Sequence, residues 1–265
     1  MTCHDIFLFL KERAPLQYQM DFDNSGFLVG DLSSDVDRVL VTLDITDDVI
    51  TEAESIAAQL IVSHHPLFFH KLSGVTATDP TGAKVMRLVR SGISAICMHT
   101  NLDIAEGGVN DALMHVLGAQ TDGILEISGS GLQGQPIGCG RIGMMPSEMP
   151  LPTFLQHVAE RLNVSGIRYV SGGKAVHRIA VCGGSGGSML ELALAAGCDT
   201  FVTADVKYDR FLTARELGIN LIDADHFCTE NVVIPELAVQ LKKRFPELTV
   251  KMSSLKQTVS FYTVQ

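Results

Sequence analysis

The sequence has no long apolar run, no C-x-x-C pair, no excess of positive charge and no low-complexity tail, and each absence removes a class of function. Spanning a bilayer takes roughly 18–20 consecutive apolar residues, and no run here approaches that length. The N-terminal run Ile6-Phe7-Leu8-Phe9-Leu10 is short, lacks a basic segment before it and ends in Lys11-Glu12-Arg13. It is expected to form a first amphipathic helix, with Thr2 as N-cap and Asp5 at the capping-box position, and not a signal peptide. The six cysteines stand at 3, 97, 139, 182, 198 and 228. Cys97, Cys182 and Cys198 lie in or beside apolar segments, where reduced, buried thiols are expected. The expectation is a soluble, cytoplasmic chain. Lys and Arg number 20 against 30 Asp and Glu, a formal charge of −10. That balance argues against a phosphate-tracking nucleic-acid binder and against binding to an anionic membrane. With 46% apolar and 19% charged residues, the chain can bury a sizeable core, which excludes disorder as a description of the whole. What the sequence does hold is nine histidines beside thirty acids, the raw material of a metal site if the fold gathers them.

Strands and helices alternate, which predicts an α/β fold with mainly parallel sheets. In the first half, Arg38–Asp44 reads as a strand, and Thr46 caps a helix from Asp47 to about Gln59. Leu60–Ser63 is a strand ending at His64-His65-Pro66. A helix near Ala83–Ser91 leads to a strand at Ile93–Met98 ending at His99, and a further helix runs from about Gly108 to Leu117. The second half repeats the plan: strand Arg178–Cys182, glycine turn Gly183–Gly187, helix Ser188–Ala196, strand Thr200–Thr203 ending at Ala204-Asp205, helix Val206–Leu217, then Ile219–Ile222 leading to His226. His99 is followed at i+4 by Asp103, and His226 at i+4 by Glu230. Matching order, spacing and terminal His-x-x-x-acid point to two similar α/β lobes made by internal duplication. The lobes are read as 1–126 and 127–265, with the turn-rich stretch Ile127–Gly140 as their connection and with the option that the C-terminal end packs back on the first lobe.

The chemistry-bearing residues sit at the C-terminal ends of predicted parallel strands, the edge where open α/β sheets bind ligands. Adjacent histidines within a regular strand point to opposite faces. At a strand-to-loop corner both can turn toward one cleft, and Pro66 keeps His65 out of the helical region. An isolated His-His pair would read as two hydrogen-bonded loop residues. Here it is joined by His99/Asp103 and His226/Glu230, each an imidazole and a carboxylate on one helical face. Such a donor set suits zinc, iron, manganese or nickel. The Gly183–Gly187 turn fits either a phosphate cradle or a tight βα turn, since it has no Walker lysine and does not match G-x-G-x-x-G. Ser185 has no base evident in the sequence. Asp23-Asn24-Ser25-Gly26 reads as a turn, with a place in the cleft lining open to it. Cys228 faces away from His226 and Glu230 on a helix and reads as structural. His4, His70, His115, His157 and His177 have no partners at ligand spacing.

The segments Asp21–Gly30, Ser63–Phe68, His99–Asp103, Val181–Gly186, Thr203–Tyr208 and Ile222–Glu230 resemble, in order, the motifs of the NIF-three-like family, also called the GTP cyclohydrolase I type 2-like family. The resemblance covers nearly the whole chain and is similar to the short form without an inserted domain. It implies two α/β lobes with a dinuclear divalent-metal site in the cleft between them, and a ring-like homohexamer. The implied ligands are His64, His65, Asp103, His226 and Glu230, with Glu230 or Asp103 bridging the two ions. His99 is implied as an outer-sphere or acid/base residue. Three positions depart from the family's pattern: Phe22 where Trp is usual, Asp209 where His is usual, and Asp225 where Gly precedes the metal histidine. Asp225 would enlarge the acidic site or bond His226, and Asp209 puts in doubt any histidine-dependent step there. The function expected is a dinuclear-metal hydrolase, a metal-activated water attacking a small nucleotide-type substrate at a purine C8 or a phosphate ester, with His99 or Asp225 moving the proton. The alternative is a non-catalytic metal-binding scaffold or regulatory protein. A nuclease would need a basic channel, which the charge does not support.

Overall fold

Helix α1 (Cys3–Arg13) begins as the capping pattern predicts: the Thr2 hydroxyl accepts from Asp5 N–H at 3.3 Å and Asp5 accepts from Thr2 N–H at 2.9 Å. The computed structural model describes residues 1–255 and 259–260. After α1 come β1 (Gly26–Val29), β2 (Arg38–Thr42), α2 (Asp47–Ser55), β3 (Leu60–Ser63), α3 (Pro80–Arg90), β4 (Ser94–Cys97) and α4 (Thr100–Ile104). Strands β2, β3 and β4 are parallel neighbours, and β1 pairs antiparallel with β4. Every residue of β3 and β4 is buried, the near-continuous apolar pattern of parallel strands covered on both faces. Val49, Ile50 and Ala53 of α2 and Leu88 of α3 pack with Leu40, Ile61 and Ala95 of the sheet. Helix α2 stops at Ser55, short of the predicted Gln59, and Ala57 then takes a φ of 52°. Helix α3 starts earlier than Ala83 because Asp79 caps it on Gly82 N–H and Pro80 supplies the preset φ of a first turn.

The next elements are α5 (Val109–Leu117), β5 (Gln120–Ser130), β6 (Pro136–Met149), α6 (Leu151–Leu162), β7 (Arg168–Val170), β8 (Val176–Val181), α7 (Leu190–Ala195), β9 (Thr200–Thr203), α8 (Tyr208–Leu217), β10 (Asn220–Asp223) and α9 (His226–Glu230). Their sheet runs β5-β6-β8-β9-β10-β7, parallel only across β8, β9 and β10, so it is mixed where mainly parallel pairing was expected. Its core joins Leu113, Met114 and Leu117 of α5 to Phe154, Val158, Ile179, Val202 and Ile222. The chain ends its described course with α10 (Val233–Arg244) and β11 (Thr249–Met252), and β11 pairs in parallel with β2.

The chain thus divides into two units. One holds Met1–Ala105 with the returning segment that starts at Ile234; the other is built on Glu106–Val233. The division falls at Ala105/Glu106, not at 126/127, because α5 contributes three buried side chains to the second core. The stretch 127–140, expected to connect the lobes, is instead the heart of the β5–β6 hairpin, with Ile127 opposite Gly138 and Gly131 N–H bonded to the Gln135 carbonyl. Its glycines serve strand pairing: a Cβ at Gly138 would stand 1.8 Å from the Glu126 carbonyl oxygen.

The duplication is visible in the element order. The series α1-β1-β2-α2-β3-α3-β4-α4 is repeated as α6-β7-β8-α7-β9-α8-β10-α9, with β7 antiparallel on β10 as β1 is on β4. Backbone bonds set the equivalences. Met98 N–H donates to the Ser63 carbonyl and Ala224 N–H to the Thr203 carbonyl, so Met98 matches Ala224 and His99 matches Asp225. The His-x-x-x-acid repeat is therefore displaced by one residue: His99 is the N-cap position of α4, whereas His226 is the first residue of α9. No helix among the described residues is long and apolar enough to cross a membrane.

Candidate metal centre

In the first unit the sheet delivers three imidazoles to one place. His64 and His65 leave β3 at its C-terminal end, where Pro66 turns the chain, and His99 leaves the neighbouring β4. The ring centroids lie 5.1 Å apart for His64–His65, 5.2 Å for His64–His99 and 5.6 Å for His65–His99. Ring nitrogens of the three fall within 4.8 Å of one another. Each Nδ1 has an oxygen partner: the Met98 carbonyl at 2.9 Å for His64, Asp44 Oδ1 at 2.7 Å for His65 and Asp23 Oδ1 at 2.7 Å for His99. An imidazole that donates Nδ1–H to oxygen turns its Nε2 lone pair outward, the arrangement found behind metal-ligating histidines. His64 is fully buried, and its Nε2 lies 3.6 Å from Asp103 Oδ1 on α4.

Asp23 organises the outer side of this cluster. It accepts from Thr100 N–H at 3.0 Å, the Thr100 hydroxyl at 2.5 Å and the Ser25 hydroxyl at 2.9 Å, besides bonding His99. Burial pushes its carboxyl up, but the hydrogen bonds from His99 and Thr100 outweigh that and hold it far below its ordinary value. The turn at Asp23–Gly26 is therefore a support for His99.

The second unit contributes one imidazole between carboxylates. His226 opens α9, with Nε2 3.0 Å from Glu230 Oε2 and Nδ1 2.7 Å from Asp205 Oδ2. The hydrogen bond to Glu230 pushes the His226 pKa up to about 9 against the opposing effect of burial, and Asp205 adds to the rise. Glu230 is buried, which a carboxylate tolerates only when hydrogen-bonded or paired with a cation.

The Gly183–Gly187 loop resolves as a tight turn. Its N–H groups are used within the fold: Gly183 donates to Asn110, Gly184 to Thr229 and Gly186 to Thr203, each near 3 Å. Gly184 has a φ of +62°, and a Cβ there would lie 2.1 Å from Glu230 Oε1. The loop is shaped to press its backbone on the buried carboxylate.

Asp225 was a candidate to move a proton or bond His226. Its carboxylate caps α9, accepting Cys228 N–H at 3.0 Å, while the hydrogen bond at His226 Nδ1 is made by Asp205. The backbone at Asp225 has φ 71° and ψ 135°, a conformation that favours glycine. Asp209 is exposed in the first turn of α8, and Phe22 is exposed beside Asp23. All six cysteines are buried. Burial pushes the Cys228 thiol up to about 12, in keeping with a structural role. His157 is likewise structural, bonding the Leu117 carbonyl at 2.8 Å.

Sequence reasoning assigned no role to Asp44 or Asp205. Both follow parallel strands at their C-terminal ends, β2 and β9, and that placement is the signal that could have found them.

The family model for Duf34/NIF3 (NGG1p interacting factor 3) matches residues 1–259. The chain belongs to this family. Among its relatives is a GTP cyclohydrolase 1 type 2 homolog of Clostridium perfringens, 32% identical over 245 residues and covering 92% of each chain. A protein of the same name from Clostridium acetobutylicum is 34% identical over 240 residues, 90% of this chain and 88% of that one. Among solved structures, a Bacillus cereus protein related to NIF3 superposes with a TM-score of 0.91 at 25% identity, covering 100% of this chain and 99% of that one. The NIF3-family chain thus has the mixed α/β, two-sheet fold of its relatives.

Proposed function

We propose that this NIF3-family chain is a metal-dependent hydrolase that holds two divalent cations on His64, His65, Asp103, His226 and Glu230 and acts on a small nucleotide-type substrate. We further propose that it works in the cytoplasm as a homohexamer. The observation that carries the reading is the hydrogen bond at every Nδ1: His64, His65, His99 and His226 each hold that nitrogen against an oxygen, which orients Nε2 as a donor. The name of the clostridial relatives, GTP cyclohydrolase 1 type 2 homolog, supports a nucleotide-type substrate and hydrolytic chemistry.

Divalent cations on such a donor set supply Lewis acidity, lowering the pKa of water and polarising an electrophilic atom. The protein's own part is positional and protonic. Asp44 and Asp205 fix the rings of His65 and His226. His99, held by the buried Asp23, is the group placed to accept and return a proton. Asp225, whose carboxylate caps α9, is the other group proposed for the proton step.

Elemental analysis of protein purified without added metal, with turnover assays on nucleotides and model phosphodiesters, tests the proposal. The expected result is about two ions per chain, with metal and turnover both lost in His65→Ala/Glu230→Ala. Stoichiometric metal and full activity in that double variant would overturn the ligand assignment. Bound metal without turnover across the panel would favour the scaffold reading.

A further inference from the structure

A cavity of about 860 Å³ opens beside the histidine cluster of the first unit, within the range of roughly 300–1,000 Å³ that holds small-molecule ligands. Its walls include Phe22, 62% exposed, and Phe69, 45% exposed. Single exposed apolar side chains are ordinary; two exposed aromatic rings on one cavity are not explained by packing. Both are tied to the histidine cluster. Phe22 adjoins Asp23, which bonds His99, and the Phe69 ring meets His99 edge-on with centroids 5.5 Å apart at 74°. The segment carrying Phe69 is anchored from the same turn, since Asn24 donates to the Phe68 carbonyl at 2.8 Å.

The polar part of the wall has a sign. Lys71 lies in it beside His70, while the one carboxylate there, Asp79, is engaged in capping α3 at 2.6 Å from Gly82 N. A chain of net charge −10 thus turns aromatic rings and a lysine into a cavity next to its imidazoles. Aromatic walls accept a planar ring by stacking, and a lysine favours an anion. We infer that this cavity is the subsite for the purine ring and phosphate of a nucleotide, with Phe22 and Phe69 contacting the base and Lys71 the phosphate.

The inference rests on the proposed hydrolase and deepens it by assigning a cavity to the base and phosphate of its substrate, and its test is separable from the test of metal dependence. Calorimetric titration of the protein as purified with guanosine 5′-monophosphate, guanosine and ribose 5-phosphate reads the site directly, with metal content measured on the same samples. Phe22→Ala and Phe69→Ala are each expected to weaken the mononucleotide about tenfold, with melting temperature and metal content unchanged. Phe22→Trp and Phe69→Tyr should retain affinity. Lys71→Gln should weaken the mononucleotide and leave guanosine unaffected. The inference is overturned if the mononucleotide fails to bind, if both alanine variants bind it normally, or if ribose 5-phosphate binds as tightly. Loss of ring binding with metal retained removes this inference alone; ring binding without metal removes the hydrolase reading and leaves the subsite.

Discussion

The two units repeat one series of elements and use it for opposite purposes. After β3 the first unit places His64-His65; at the matching position after β9 the second places Ala204-Asp205. The first unit gathers three imidazoles and supports them from behind with Asp23 and Asp44. The second gathers carboxylates, Asp205 and Glu230, around a single imidazole. Even the segments after the first parallel strand differ: after β2 it supplies Asp44 to His65, whereas after β8 it supplies glycines that press on Glu230. Duplication therefore fixed where side chains emerge, at the C-terminal edge of parallel strands, and left their chemistry free to diverge.

The sharpest way to break this contrast is at Gly184. An alanine Cβ would stand 2.1 Å from Glu230 Oε1 on a backbone with φ +62°, so either the loop or the carboxylate must move. Gly184→Ala is expected to cost about 2–4 kcal/mol of stability and to abolish metal retention, read by thermal melting and elemental analysis. A variant that keeps both would show that the loop does not hold Glu230 in place.

How much of this was legible beforehand follows from what each signal depends on. The β3 and β9 strands and the capping box of α1 are local, written in apolar runs and in Thr2 and Asp5, and the structure has them at the expected residues. The β5–β6 hairpin is not legible in the sequence because its Ser-Gly-Leu-Gln-Gly-Gln-Pro turn looks the same in a linker as between two strands; only the pairing of Ile127 with Gly138 tells them apart. The histidines and acids of the centre stood out by their strand-end positions. Their supports did not, because Asp44 and His65 are brought together by adjacent parallel strands, and sequence spacing carries no sign of that. The one-residue displacement between His99 and His226 was likewise invisible, since both show an acid at i+4 and only the backbone ladder sets their equivalence.

Those supports give the next test. Removing the carboxylate behind a metal-bound imidazole costs about 10–100-fold in metal affinity. Asp205→Asn acts on the single histidine proposed as a ligand in the second unit, whereas Asp44→Asn acts on one of the two proposed in the first. Competition with a chelator should therefore show the larger loss, about 100-fold, for Asp205→Asn and about tenfold for Asp44→Asn. Equal losses would mean that the number of imidazoles proposed in each unit does not set the size of the effect.

Asp23 sharpens the comparison through pH. Its carboxyl is depressed in the fold, so its contribution to stability is fully present above its ordinary value of 3.8 and is lost as the pH falls below it. At neutral pH Asp23→Asn should be less stable by about 1–2 kcal/mol, having lost charge-assisted bonds to Thr100 and His99. The gap should close in acid melts below pH 3.8. A gap that persists unchanged in acid would mean that the asparagine is penalised by packing and not by charge.

The smallest effect expected distinguishes cap from strain at Asp225. The residue holds φ 71° and ψ 135°, and its side chain caps Cys228 N–H; the matching position in the first unit is His99, with φ −106° and no side-chain cap. A non-glycine residue in such a conformation costs about 1–3 kcal/mol, while replacing an aspartate cap by glycine costs only a few tenths of about 1 kcal/mol and by alanine about 1 kcal/mol. Asp225→Gly relieves the strain and loses little of the cap, so it should stabilise the chain by about 1 kcal/mol. Asp225→Ala keeps the strain and loses the cap, so it should destabilise by about the same amount. Denaturant midpoints of the two variants must fall on opposite sides of the parent. If both fall below it, the carboxylate does more for the fold than cap α9.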